Sequence, residues 1–137
     1  MANKLYPKGK EHLLAKDIDM IDDTIKVVLV DTADYTYADA DEALDDIIAG
    51  ARVATATLGT KSITNGVFDA ANVTYSTVTG DPCEALVIYQ DSGTESTSYL
   101  IAYIDSATGL PVTPNGGDIT ITWDDGASKY SLYKLES

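Results

Sequence analysis

The sequence is short of the residues that carry most enzyme chemistry. Among its 137 residues there is one histidine, His12, and one cysteine, Cys83. A single cysteine excludes an intrachain disulfide and any multi-cysteine metal site. Cys83 opens the run CEALVIY, which reads as a strand, so a buried, inert thiol is expected there. His12 sits near the N-terminus, where no buried site is expected. A hydrolytic triad or a Cys–His pair therefore has no base in a suitable place. Neither GxxxxGKS/T nor GxGxxG occurs, so no phosphate-cradling loop is expected. One Trp and one Phe leave few platforms of the kind a sugar-cleaving cleft uses, despite the many carboxylates. The expectation is a protein without enzymatic activity and without a cofactor.

Long apolar runs are also missing. None approaches the roughly 20 residues that span a bilayer. The N-terminus, MANKLYPKGKEHLLAK, is basic but lacks the unbroken apolar stretch of a secretory signal, so use without export is expected. Positive charge is scarce: nine Lys and Arg face 22 Asp and Glu, for a net charge of −13. Such a chain repels nucleic acid and anionic membranes, and neither is expected as a partner.

What is present points to sheet. Hydrophobic residues make up 45% of the chain, enough for one globular core. The length fits one domain. Tyr, Thr, Val and Ile recur in short runs suited to a pleated surface. The nine Tyr are read first as core-edge residues, since each offers an apolar body and a polar tip.

Charge is unevenly spread. Residues 1–16 carry Lys4, Lys8, Lys10 and Lys16 against Glu11 alone, whereas residues 17–50 carry eleven acids against Lys26 alone. Two explanations stand side by side: a basic arm that reaches a neighbour's acidic face, or a short amphipathic helix folded onto its own domain. The acid groups Asp17, Asp19, Asp22, Asp23 and Asp39, Asp41, Asp45, Asp46 offer oxygens of the type calcium prefers. Neither run has EF-hand spacing, so solvated acids, and no metal, are expected.

The chain divides into an N-terminal arm with a short helix, 1–23, and a single β domain, 24–137. Residues 8–16 suit two helical turns after Pro7, and Ala38 to Ile48 has helical spacing at Ala40, Ala43, Leu44 and Ile47. Strands are expected at Thr24–Asp31, Arg52–Leu58, Asn72–Val78, Cys83–Gln90, Ser98–Asp105, around Ile119–Trp123 and at Ser128–Leu135. Asn65-Gly66 marks a hairpin between Ser62 and Phe68. The runs 83–90 and 98–105 are expected to pair as a central antiparallel hairpin. The fold expected is mainly β: an antiparallel β-sandwich or jelly-roll-like domain with one or two short helices in the N-terminal third.

In the strand at 98–105, Tyr99, Ile101 and Tyr103 are expected on one face, with Leu100, Ala102 and Ile104 on the other. Both faces are apolar and need cover, from the chain itself or from another subunit, so a homo-oligomer is expected. The candidate interaction residues are Lys4, Tyr6, Lys8 and Lys10 in the arm, and Tyr99, Ile101 and Tyr103 in the strand.

The stretches LYPKGKEHLL, DTIKVVLVDTADYTY, GARVATATLGTKSITNGVFDAANVTYSTVTGD, EALVIYQDSGT and LIAYIDSATGLPVTPNGGDITITWDDGASK span nearly the whole chain. They resemble a family of small virion proteins of tailed bacteriophages. The resemblance implies a structural role in a particle assembled in the host cytoplasm, among other virion proteins such as the major capsid protein. It carries no catalytic residue. A capsid decoration or cement protein, on the outside of the head, is expected first. A tail, neck or fibre-anchoring component is the alternative, and a carbohydrate-binding adhesion module a third.

Overall fold

The computed structural model describes residues 3–65, 67–107 and 109–123, together with the backbone of 135–136. The architecture is mainly β, and every strand pair is antiparallel. Five strands form the main sheet: β1 (Lys4–Leu5), β2 (Ile25–Val30), β3 (Arg52–Thr57), β7 (Ala85–Gln90) and β8 (Leu100–Ile104), in the order β1-β8-β7-β2-β3. A smaller sheet runs β10 (Leu135–Glu136), β9 (Ile119–Trp123), β6 (Val73–Tyr75). The pair β4 (Ser62–Thr64) and β5 (Val67–Asp69) forms a separate hairpin. Its turn begins at Asn65, whose φ of 51° is one that Asn tolerates better than most residues. The expected strand at 128–135 and the turn before it lie mostly outside the described residues. Among the described residues, no helix is long and apolar enough to cross a membrane.

β2 and β7 have almost no polar side chain between them, and both faces of the sheet they form are buried. On one face, Ile25, Val27, Leu29, Leu86 and Ile88 pack with Val73, Tyr75, Ile121 and Trp123 of the smaller sheet. This is the sandwich core. The Tyr75 hydroxyl ties the layers by donating to the Val27 carbonyl oxygen at 2.9 Å. On the other face, Val28, Val30, Val87, Tyr89, Leu100 and Tyr103 are covered by Tyr6, Tyr35, Leu44, Ile47 and Ala51. Leaving such side chains in water would forgo roughly 1.5–3 kcal/mol each. That is reason enough for an irregular segment to be held there. The expected second subunit is therefore not needed as a cover: the chain closes both faces by itself.

That cover corrects one expectation. Residues 38–48 do not form a helix; they hold a turn, a bridge from Ala43 to Tyr99 and a single 3₁₀ turn at Leu44–Asp46. Asp46 takes two amides that a helix would use. Asp41 Oδ2 accepts from the Ala38 N–H, and Asp46 Oδ2 from the N–H groups of Glu42 and Ala43. Leu44 N–H instead donates to the Ser98 carbonyl. The apolar spacing was still informative, because Ala43, Leu44 and Ile47 are all buried. Arg52 fastens the segment from β3, donating through Nε to the Ile47 carbonyl and through Nη2 to the Leu44 carbonyl.

A second correction concerns β8. Tyr89 pairs with Leu100 and Ile88 with Ala102, so Ile101 is an extra residue, a β-bulge. The bulge breaks strict alternation. Ile101 joins Ala102 and Ile104 in the core between the sheets, while Leu100 and Tyr103 face the covering segment.

Candidate interaction surface

The N-terminal segment is built into the domain and is not a free arm. β1 pairs with the outer edge of β8, Lys4 opposite Tyr103 and Leu5 opposite Ala102. Asn3 Oδ1 accepts from the N–H groups of Asp105 and Ser106. Tyr6 N–H then donates to the Ile101 carbonyl, the group that the bulge presents. Helix α1 (Pro7–Leu14) follows, with Pro7 in its first turn, as expected for a residue that lacks an N–H.

Tyr6 is fully buried and is the first member of a hydroxyl chain. Tyr35 donates to Asp41 Oδ2 at 2.6 Å, so the Tyr6 hydroxyl, 2.9 Å from that of Tyr35, donates to it in turn. Burial raises the titration of both phenols far above the ordinary tyrosine value, which keeps them protonated and able to donate. The Tyr37 and Tyr103 rings lie 5.0 and 6.4 Å from Tyr6. Burial, followed by the Asp105 and Glu84 charges, pushes the Tyr103 phenol up to about 12.

Of the seven candidate interaction residues, Tyr6, Ile101 and Tyr103 are therefore interior. Tyr99 is half-buried, its ring stacked on His12 with centroids 3.6 Å apart. Lys4 pairs with Asp39 at 2.7 Å and lies 5.0 Å above the centre of the Tyr37 ring. Lys8 pairs with Glu11 along the helix. Lys10 is exposed. The fold does bring the two halves of the set together, because the segment holding Lys4 and Tyr6 lies along β8. The contact they make is largely within the chain. What reaches solvent is the cationic rim of Lys4, Lys8 and Lys10, with Asp39 of the covering segment beside Lys4.

No buried site is expected at His12, yet its side chain is only 15% exposed and is held by two carboxylates. Its Nδ1 lies 2.8 Å from Asp17 Oδ2 and its Nε2 2.8 Å from Glu42 Oε1. Burial acts to lower its titration, but hydrogen bonds to Asp17 and Glu42 outweigh it and hold the imidazole above its ordinary value. The contact to Glu42 spans 30 residues and has no signature in the sequence.

Four acids of 17–23 and 39–46, namely Asp19, Asp23, Asp41 and Asp46, accept backbone N–H groups in turns. Asp19 Oδ1 accepts from the N–H groups of Ile21 and Asp22, which lowers its titration. Asp23 Oδ2 accepts from the Asp19 N–H. A different trio, Asp31, Asp34 and Asp81, places three carboxylate oxygens within 4.8 Å of one another, with Asp31 buried. These could share a cation. Pairing of β2 with β7 brings Asp81 there from a distant turn, so the trio was not legible as a group. Burial, followed by the charges of Glu84, Asp31 and Asp81, pushes the nearby Cys83 thiol up to about 11, consistent with the inert cysteine expected.

Compared with known proteins, the chain matches no protein-family model and no curated protein at a significant level.

Proposed function

We propose that this chain is a non-enzymatic structural protein of a tailed-bacteriophage virion, most specifically a decoration protein on the outer surface of the head. The observation that carries this reading is a pairing of two properties. The sheet's apolar faces are closed within one chain, and the net charge is −13. A self-contained acidic β domain suits the outside of a particle packed with nucleic acid, where like charge disfavours the inner face. The stretches that resemble small virion proteins supply the context. The alternative tail role drew on apolar strand faces buried in a ring, and those faces are covered internally.

Contact with the capsid then falls to the cationic rim of Lys4, Lys8 and Lys10. On this reading a decoration protein meets its lattice through a limited patch and repeats it over the head. Imaging of purified particles with a labelled copy of this protein tests the reading. Hundreds of copies over the head support it, and a few copies confined to the tail sink it.

A further inference from the structure

We propose that His12 is a pH-sensitive latch between helix α1 and the segment covering the sheet, closed when the imidazole is charged and loosened when it is neutral.

The geometry of the ring assigns its charge. A neutral imidazole has one N–H and one lone pair, whereas an imidazolium has two N–H donors. Both nitrogens of His12 face a carboxylate oxygen at 2.8 Å. In the neutral ring one lone pair would point at an anion. Only the imidazolium satisfies both contacts. The Tyr99 ring, 3.6 Å away and 11° from parallel, covers one face of the imidazole. An aromatic face also favours a cation. The His12 side chain keeps only 15% of its surface exposed, so water offers little replacement for a lost partner.

The three groups facing the ring come from three places. Asp17 follows the end of α1, Glu42 belongs to the covering segment, and Tyr99 precedes β8. The charged ring therefore holds three chain segments at one point. The backbone around it is tied at the same place: Asp17 N–H donates to the His12 carbonyl, Leu100 N–H to the Glu42 carbonyl and Leu44 N–H to the Ser98 carbonyl.

The direction follows from the raised titration of His12. The latch contributes fully below the value of an unfolded histidine, about 6.5, and its contribution is lost as pH rises through the higher value of the folded chain. The loosening is local. β1 and Tyr6 are held by strand pairing and by burial of a whole tyrosine, which the charge of His12 does not touch.

The single histidine makes the test clean. Proton NMR of the full chain from pH 6 to pH 9 reads the His12 midpoint, while amide exchange, expressed as protection relative to an unstructured chain, reads the latch. A midpoint above about 6.5 is expected, lowered in both Asp17→Asn and Glu42→Gln. Protection of the Asp17 and Leu44 amides is expected to fall severalfold across that midpoint while that of the Tyr6 amide holds. In His12→Gln the fall is expected to vanish. A midpoint at or below the unfolded value overturns the latch, as does protection at Asp17 and Leu44 that changes only in step with Tyr6. If His12→Gln fails to fold, the two carboxylate variants decide the matter: a midpoint unmoved by either overturns it.

Discussion

Gly9 lies so close to β8 that a Cβ built on it would stand 2.3 Å from the Leu100 carbonyl oxygen and 3.1 Å from the Ile101 Cα. Helix and strand touch backbone to backbone at the bulge, and only glycine permits it. In an open helix Gly→Ala is worth about 1 kcal/mol in favour of the alanine. Here the sign reverses. Gly9→Ala should destabilise by about 1–3 kcal/mol through overpacking. Gly50, with nothing within 4 Å of its Cβ position, is the control; its alanine variant should be neutral or slightly stabilising. Urea midpoints of the two variants check the contrast.

The hydroxyl chain from Tyr6 through Tyr35 to Asp41 predicts an asymmetry. Tyr6→Phe removes the terminal donor and leaves Tyr35 still bonded to Asp41. It should cost about 1 kcal/mol. Tyr35→Phe strands a buried hydroxyl on Tyr6 and removes a donor from Asp41, and should cost about 1–3 kcal/mol. Equal losses in chemical denaturation would contradict the order of donors.

Arg52 predicts a difference between two cations. It reaches the Ile47 and Leu44 carbonyls and Glu95 with one planar group. Lysine keeps the charge but cannot serve those acceptors together. Arg52→Lys should therefore lose most of the stability that Arg52→Ala loses, which thermal unfolding of the pair would read.

Acid dependence should pass through Asp91. Its Oδ2 pairs with Lys26 at 2.8 Å and its Oδ1 accepts from the Gly93 N–H. The Lys26 hydrogen bond, then that from Gly93, holds the carboxyl below its ordinary value. A depressed folded value contributes stability that is present above the unfolded value and lost as pH falls through the folded one. Asp91→Asn should thus be less stable than wild type at neutral pH and converge with it in acid, measured as unfolding free energy against pH.

Much of the sheet was legible because its signals are local. Near-continuous apolarity marks β2, broken only by Lys26, and β7, and Asn65-Gly66 marks the β4–β5 hairpin. The covering segment is not legible, because helical spacing at Ala43, Leu44 and Ile47 cannot show that Asp46 takes the Glu42 and Ala43 amides. The facing of Ile101 was misjudged because a bulge depends on how β7 and β8 pair. The sequence does not distinguish Tyr6, Ile101 and Tyr103 from surface groups, because their partners lie about 30 or more positions away. The surroundings of His12 are illegible for the same reason, since Glu42 lies 30 residues away in the chain.

The cover on the outer face of the main sheet also bears on how the protein unfolds. A subunit that relied on a neighbour to hide Val28, Val87 and Tyr103 would melt at a temperature set by its concentration. With Tyr35, Leu44 and Ile47 of the same chain in place, that face needs no neighbour to stay covered, and dilution should leave the midpoint where it is.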